Sequence, residues 1–91
     1  MFRHVVIFKL RSREMRGEAI AALESLPANV PTLRSLTVGA DTLDSARAAD
    51  LCLITEFDDL DGYRVYQTHP AHLEVLATLK PLIESAVVVD W

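Results

Sequence analysis

One stretch of the chain holds most of the side chains that can perform acid–base chemistry. Residues 63–72 read Tyr-Arg-Val-Tyr-Gln-Thr-His-Pro-Ala-His and contain both tyrosines and two of the three histidines. Pro70 suits the first position of a helix, because its missing N–H removes no helical hydrogen bond there. His69 is then predicted to be the N-cap and His72 the third helical residue, near the positive end of the helix dipole. Because this field disfavours imidazolium, His72 is predicted to be a neutral proton acceptor at neutral pH.

Tyr66 is a second candidate, since its phenol offers a hydrogen-bond donor to a carbonyl or enolate oxygen. It precedes the predicted start of the helix that carries His72. The two rings therefore converge only if the chain folds back between them. His4 is the third candidate: on the first predicted strand it shares a face with Phe2, Val6 and Phe8. It is either a histidine packed in the core or a contact to a ligand.

Hydrophobic periodicity predicts the elements that position these side chains. Strands are predicted at residues 2–10, 32–40, 51–57 and 86–91. A first helix is predicted at residues 12–26, and a second helical segment runs from residue 58 or 59 to about residue 67 and resumes over residues 70–82. The resumed part carries Leu73, Leu76, Ala77 and Leu79, and His72 is predicted to lie one turn before Leu76 on the inward stripe. The order β-α-β-β-α-β predicts an α+β, ferredoxin-like sandwich with a four-stranded antiparallel sheet.

The second face of this predicted sheet is also apolar. A sheet covered by helices on one side normally presents polar side chains on the other. Here the second face carries Val5, Ile7, Cys52, Ile54 and alternate residues of the segment 87–89. Ninety-one residues supply helices for one face alone, so the sequence predicts a homodimer in which a second copy covers the other face.

Composition excludes several other classes of protein. Nine basic and 13 acidic residues give a net charge of −4, which argues against nucleic acid or an anionic membrane as a partner. No apolar segment approaches the ~20 residues that a membrane span needs. The single cysteine, Cys52, is interpreted as a small apolar core residue of a cytoplasmic protein. No metal site or glycine-rich phosphate loop is recognised, and no cofactor is predicted. The carboxylates of residues 56–61 are interpreted as structural groups that stabilise the start of a helix through its dipole.

Four separated motifs resemble the stress-responsive A/B barrel family, also called the dimeric α/β-barrel or Dabb family. They are His-Val-Val-Ile-Phe-Lys-Leu near the start, Asp-Leu-Cys-Leu-Ile-Thr-Glu-Phe-Asp-Asp-Leu, Tyr-Gln-Thr-His-Pro-Ala-His, and Val-Val-Val-Asp-Trp at the end. The resemblance extends over residues 1–91 and implies a single domain of this family. It also implies a barrel-like dimer formed by two sheets, and a ligand cleft between the sheet and the helices of each protomer.

The family includes plant polyketide cyclases, and the resemblance implies catalytic roles for Tyr66, His72 and His4. The ligand would be a small apolar, carbonyl or polyketide-like compound, handled without a cofactor. Two other readings fit the sequence as well. One is a non-catalytic, stress-related dimer that binds a ligand or has a structural role, and the other is a protein similar to the cofactor-free monooxygenases. An open cleft among the three side chains favours chemistry, whereas a filled core favours a structural role.

Overall fold

The computed structural model describes residues 1–91 and consists of an antiparallel sheet with helices on one face. The strands are β1 (Phe2–Leu10), β2 (Leu33–Ala40), β3 (Leu51–Phe57) and β4 (Ile83–Asp90). The helices are α1 (Arg16–Glu24), preceded by a 3-10 turn at Arg13–Met15, then α2 (Leu60–Thr68) and α3 (Pro70–Leu79). The strand order β2-β3-β1-β4 confirms the predicted ferredoxin-like α+β fold.

Strand β1 lies in the middle of the sheet and is held on both sides. It pairs antiparallel with β3 through Val6 opposite Leu53, and with β4 through Val6 opposite Val88. The predicted alternation is present: Val6, Phe8 and Leu10 are buried beneath the helices, whereas Ile7 is exposed on the other face. Because strand side chains alternate between faces, His4 also faces the helices.

The hydrophobic core lies between the sheet and the three helices. Each fully buried aliphatic or aromatic side chain contributes roughly 1.5–3 kcal/mol of transfer free energy. The core consists of Val6, Phe8, Leu10, Ala19, Leu23, Leu26, Val30, Leu33, Leu51, Leu53, Phe57, Tyr66, Val75, Leu79 and Leu82.

Two helix ends differ from the prediction for identifiable reasons. Helix α1 ends at Glu24 rather than near residue 26, where the Ser25 hydroxyl donates a 2.7 Å hydrogen bond to the Ala22 carbonyl oxygen. Such a local bond competes with further helical bonds. Helix α3 ends at Leu79 rather than near residue 82, because Pro81 has no N–H to continue the helix. Strand β4 therefore begins at Ile83, three residues earlier than predicted.

The predicted inward stripe of α3 is correct at His72 and only partly correct at Leu76, which lines the cavity but is half exposed. Leu73 is 51 % exposed and Leu76 is 45 % exposed, whereas Val75 and Leu79 are buried. The inward face follows the spacing of His72, Val75 and Leu79, which is three and then four residues. Because α3 is apolar on most of its circumference, periodicity alone could not identify which face is buried.

The sheet face opposite the helices is open and apolar, as predicted. Ile7, Ile54, Val87 and Val89 expose between 38 % and 64 % of their surface on this side. The strand register places Ile7 opposite Val87 and opposite Cys52. Cys52 is partly exposed here, so its interpretation as a core residue is wrong for the protomer. None of the helices has the length and apolar character needed to cross a membrane.

The long connection between β2 and β3 is anchored to the start of α1 by charged groups. The buried carboxylate of Asp50 accepts a 2.7 Å hydrogen bond from the Leu10 N–H. The Arg13 guanidinium bonds Asp41 and Asp44 and lies 3.5 Å from Asp50. These contacts hold the connection at the end of β1 that is remote from His4.

Pro70 occupies the first helical position of α3, as predicted, and its replacement tests the helix start. We expect Pro70→Ala to be tolerated better than Pro70→Gly. Alanine favours the helical backbone, whereas glycine raises the conformational entropy of the unfolded chain, and the difference is up to ~1 kcal/mol. Thermal melts of the two variants measure it. The reverse order of melting temperatures would contradict this account of the helix start.

Candidate functional site

A single residue in extended conformation separates α2 from α3 and folds the chain back. His69 has φ −64° and ψ 135°, and its side chain caps α3, as predicted. Its Nδ1 accepts a 3.1 Å hydrogen bond from the Ala71 N–H. As an acceptor, this nitrogen carries no proton, so neutral His69 is protonated on Nε2.

This change of direction brings Tyr66 and His72 together. Their ring centroids lie 4.1 Å apart, with an angle of 31° between the ring planes. Tyr66 is only 1 % exposed and packs on its other side against Phe57, at 5.1 Å between centroids. The phenol is therefore held in place by rings on both sides.

The proton position on His72 follows from its hydrogen bond. Its Nδ1 lies 3.1 Å from the Gln67 carbonyl oxygen, and because a carbonyl can only accept, Nδ1 must be the protonated nitrogen. Burial lowers the pKa of the His72 imidazole below its ordinary value; the neighbouring His4 and His69 act in the same direction, and the Gln67 carbonyl opposes them. His72 is therefore neutral at neutral pH, with Nε2 free to accept a proton. The leading cause is burial rather than the helix dipole invoked from the sequence.

The Tyr66 hydroxyl has the properties of a donor. Burial is the leading cause that raises its pKa above the ordinary value, so the phenol stays protonated over the whole neutral range. No other group of the chain forms a hydrogen bond with this hydroxyl, and Tyr66 lines the cavity described below. The O–H therefore has no competing partner within the chain.

His4 lies across from these rings on the central strand. Its ring centroid is 4.9 Å from that of Tyr63 and 6.4 Å from that of Tyr66. Its Nδ1 is 2.5 Å from Oδ1 of Asp90 on β4. The structure therefore places all three predicted site residues, His4, Tyr66 and His72, around one space.

That space is a cavity of about 370 Å³ between the sheet and helices α2 and α3. Its volume is in the range typical of small-ligand sites. The polar groups lie at the His4 end, and the remainder is apolar. The lining residues are His4, Val6, Phe8, Leu23, Leu53, Tyr63, Tyr66, Gln67, His72, Val75, Leu76, Leu79, Ile83, Ala86 and Val88.

A second hollow of about 450 Å³ lies between α1 and α3 on the outside of the protein. It is larger than the cavity, but it has no aromatic ring, imidazole or thiol among its lining residues. Its polar side chains are Ser25, Asn29, Glu74 and Thr78. We regard the cavity as the candidate site because it brings two imidazoles and two phenols together around one space.

Two residues that line the cavity, Tyr63 and Gln67, and one that bonds the lining residue His4, Asp90, were not identified from the sequence. Tyr63, Tyr66 and Gln67 follow the helical spacing of three and four residues, which was a readable signal. Asp90 could not be assigned in this way, because its place depends on the register of β4 against β1, which puts it opposite His4.

Three of the four carboxylates in residues 56–61 have structural partners, and Asp59 lies at a helix start as predicted. Asp59 caps α2 by accepting from the Gly62 N–H at 2.8 Å. Asp58 bonds Arg34, and this hydrogen bond lowers the pKa of Asp58. Glu56 bonds Ser35 and Arg3 across the sheet. This group therefore stabilises a helix start and a strand pair rather than the cavity.

Comparison with known proteins identifies the family. The model of the Stress responsive A/B Barrel Domain (Dabb) matches residues 2–91. The chain belongs to the stress-responsive A/B barrel family. A stress-response A/B barrel domain-containing protein of Arabidopsis thaliana is 28 % identical over 93 residues, covering 99 % of this chain and 84 % of that protein. The family predicted from the four motifs is thus confirmed.

Solved structures similar to this stress-responsive A/B barrel chain share its fold. A dimeric ferredoxin-like protein of Thermobifida fusca has a TM-score of 0.87 and 32 % identity, with coverage of 99 % of this chain and 88 % of that one. A hydroxynitrile lyase of Passiflora edulis has a TM-score of 0.84 and 21 % identity, with coverage of 99 % and 90 %. The second likeness concerns the fold alone.

Proposed function

We propose that this protein is a homodimeric, cofactor-free enzyme that moves a proton next to the carbonyl group of a small neutral compound. The observation that carries the proposal is the pairing of the His72 and Tyr66 rings at 4.1 Å in an apolar cavity. Nε2 of neutral His72 is the base, and the Tyr66 hydroxyl is the hydrogen-bond donor. A polyketide-like compound, with several carbonyl groups, is one member of this ligand class.

In the proposed step, His72 Nε2 takes a proton from the carbon next to a carbonyl group. The C–H electron pair moves towards the carbonyl carbon, and the negative charge develops on the carbonyl oxygen. The Tyr66 O–H donates a hydrogen bond to that oxygen. The resulting enolate then takes a proton back or attacks a second carbonyl of the same molecule, and in both cases His72 returns the proton. General acid–base catalysis of this kind accelerates a reaction by about 10²–10⁴-fold. This acceleration is sufficient for an acidic C–H that is flanked by two carbonyl groups.

The lining of the cavity supports a neutral ligand. No lysine or arginine is among its lining residues, so a carboxylate or phosphate would find no cationic partner there. The Asp90 carboxylate bonds His4, which lines the cavity, and its field is the second cause, after burial, of the raised pKa of Tyr63. A buried, unpaired anion would carry a large desolvation cost.

The proposed dimer rests on the open sheet face. Ile7, Ile54, Val87 and Val89 expose a contiguous apolar surface, which monomeric soluble proteins rarely present. A similar chain from Thermobifida fusca is described as dimeric. A second copy related by a two-fold axis covers this face with the same apolar surface.

The ligand class is tested with a matched pair of probes. Benzoylacetone is a neutral aromatic diketone, and benzoylacetate has a similar skeleton with a carboxylate. We expect calorimetry to detect binding of benzoylacetone but no binding of benzoylacetate. We also expect NMR to show that the protein makes the benzoylacetone α-protons exchange with D₂O faster than in buffer alone. Binding without faster exchange would favour a non-catalytic ligand-binding dimer. Equal or stronger binding of benzoylacetate would overturn the proposed neutrality of the ligand.

A further inference from the structure

The contact between His4 and Asp90 is built into the pairing of the first and last strands. Arg3 and Trp91 exchange both main-chain hydrogen bonds, at 2.7 Å and 3.0 Å. His4 and Asp90, the next pair along, are therefore a non-hydrogen-bonded pair, in which facing side chains come closest together. Their side chains meet at 2.5 Å between Nδ1 and Oδ1. The backbone on both sides thus determines the contact.

The pair lies at the boundary between the cavity and solvent. The His4 side chain is 12 % exposed and the Asp90 side chain is 36 % exposed. His4 is the hydrogen-bonding partner of the Asp90 carboxylate, and the Tyr63 ring packs 4.9 Å from the imidazole. The carboxylate therefore faces outward, while the imidazole is held against the aromatic wall of the cavity.

A carboxylate next to Nδ1 determines which nitrogen of neutral His4 carries the proton. An ionised carboxylate can only accept, so Nδ1 is the donor and Nε2 keeps its lone pair. An aspartate that holds a histidine in one tautomer is a recurring device in acid–base sites. The effect of Asp90 on the cavity thus operates through His4, without contact to the ligand.

We propose that Asp90 is a positioning residue that keeps His4 in the Nδ1–H tautomer, so that His4 Nε2 accepts a hydrogen bond from a hydroxyl or enol group of the ligand. This inference rests on the proposed function and narrows its ligand class. With His4 and His72 both presenting Nε2, the cavity offers two imidazole acceptors beside the Tyr66 phenol as a donor. The matching ligand has an O–H group in addition to its carbonyl, as the enol form of a diketone does.

The tautomers can be measured without any ligand. Long-range ¹H–¹⁵N NMR spectra distinguish the two neutral forms of each histidine, and the chain has three histidines. For the neutral imidazoles, we expect the Nδ1–H form at His4 and at His72. His69 is an internal reference, because its Nδ1 accepts from Ala71 and the Nε2–H form is expected. A parent protein with His4 in the Nε2–H form would overturn the inference, whether or not any variant folds.

Asp90→Asn tests whether the carboxylate is responsible, because it keeps the shape and removes the charge. We expect His4 to shift to the Nε2–H form or to a mixture, while His69 and His72 do not change. Asp90→Glu should restore the Nδ1–H form. Glu84→Gln, which neutralises an exposed carboxylate on the same strand, is the matched control and should leave all three spectra unchanged. Unchanged His4 signals in Asp90→Asn would refute the positioning role.

The same variants separate this inference from the proposed function. With benzoylacetone, we expect Asp90→Asn to lower kcat for α-proton exchange by about 10²-fold and to change KM much less, since orientation rather than binding is lost. Asp90→Glu should recover part of kcat. If the parent accelerates no exchange, the proposed function fails, while the tautomer spectra still decide the role of Asp90. If exchange is fast and Asp90→Asn retains the parental kcat, the positioning role fails and the proposed function stands.

Discussion

Replacing His72 with glutamine is expected to reduce the rate of α-proton exchange on a neutral diketone by about 10²–10⁴-fold. Glutamine suits a helix and retains a polar end, but it cannot take up a proton at neutral pH. The Tyr66 ring loses one stacking partner and keeps Phe57 on its other side. The loss should therefore appear in the rate rather than in the fold, and single-turnover NMR measurements would quantify it.

His69→Gln is the matched control for this variant. Both histidines lie at the start of α3, but the His69 imidazole is engaged in capping through the Ala71 N–H. Loss of an N-cap costs about 1 kcal/mol of stability, so His69→Gln should melt at a lower temperature and keep the parental rate. If both variants reduced the exchange rate by the same factor, or if His72→Gln did not reduce it, His72 would not be the base.

The pH dependence of the rate has a definite sign. The pKa of His72 is lowered by burial, with His4 and His69 acting in the same direction and the Gln67 carbonyl opposing. The proposed base is active when unprotonated, so the rate should rise with pH through a pKa below 6.5, the ordinary value, and be level at neutral pH. Protonation also costs stability: the folded state binds the proton less readily than the unfolded state, and stability falls as pH drops below about 6.5.

Replacing Ile54 with lysine is expected to convert the proposed dimer into a monomer or an aggregate. Ile54 lies on β3 opposite Val5, on the open apolar face. An ammonium group placed there without a partner costs several kcal/mol in an apolar interface, and about 1.4 kcal/mol is enough to raise a dissociation constant tenfold. Because both copies of a two-fold dimer carry the substitution, the interface would contain two unpaired charges, and the free-energy cost is incurred twice. Sedimentation velocity at micromolar concentration would measure the result.

Leu73→Lys is the control for the dimer experiment. Leu73 is 51 % exposed and Ile54 is 38 % exposed, but Leu73 lies on α3, on the other side of the sheet. The variant should sediment as the parent does. A parent protein that is monomeric at the same concentration would contradict the proposed dimer directly.

Strong local patterns allowed much of the fold to be predicted from the sequence. The bounds of β1 and β3 were predicted correctly, because apolar side chains alternate along both strands. The start of α3 followed from Pro70, whose ring favours the first helical position. The sequence pattern predicted apolar side chains on both faces of the sheet, and the exposed Ile7 and Val87 agree with that prediction.

The errors arise where the pattern is uniform or the contact is long-range. Helix α3 is apolar on most sides, so its pattern did not identify Val75 as a buried residue. The end of α3 was placed too late because Leu82 continues the apolar pattern beyond Pro81. Asp90 and His4 are 86 residues apart in sequence, and only the register of β4 against β1 brings them together.

Chemical-shift mapping with benzoylacetone tests the central claim most directly, namely that the cavity between sheet and helices is the ligand site. We predict saturable shifts at His4, Tyr66 and His72 and at Val88 in the apolar part, with the same signals unaffected by benzoylacetate. Ser25 and Thr78, in the hollow between α1 and α3, serve as the reference surface and should not shift. Shifts confined to that outer hollow, or no saturable shift at the cavity residues, would contradict the account.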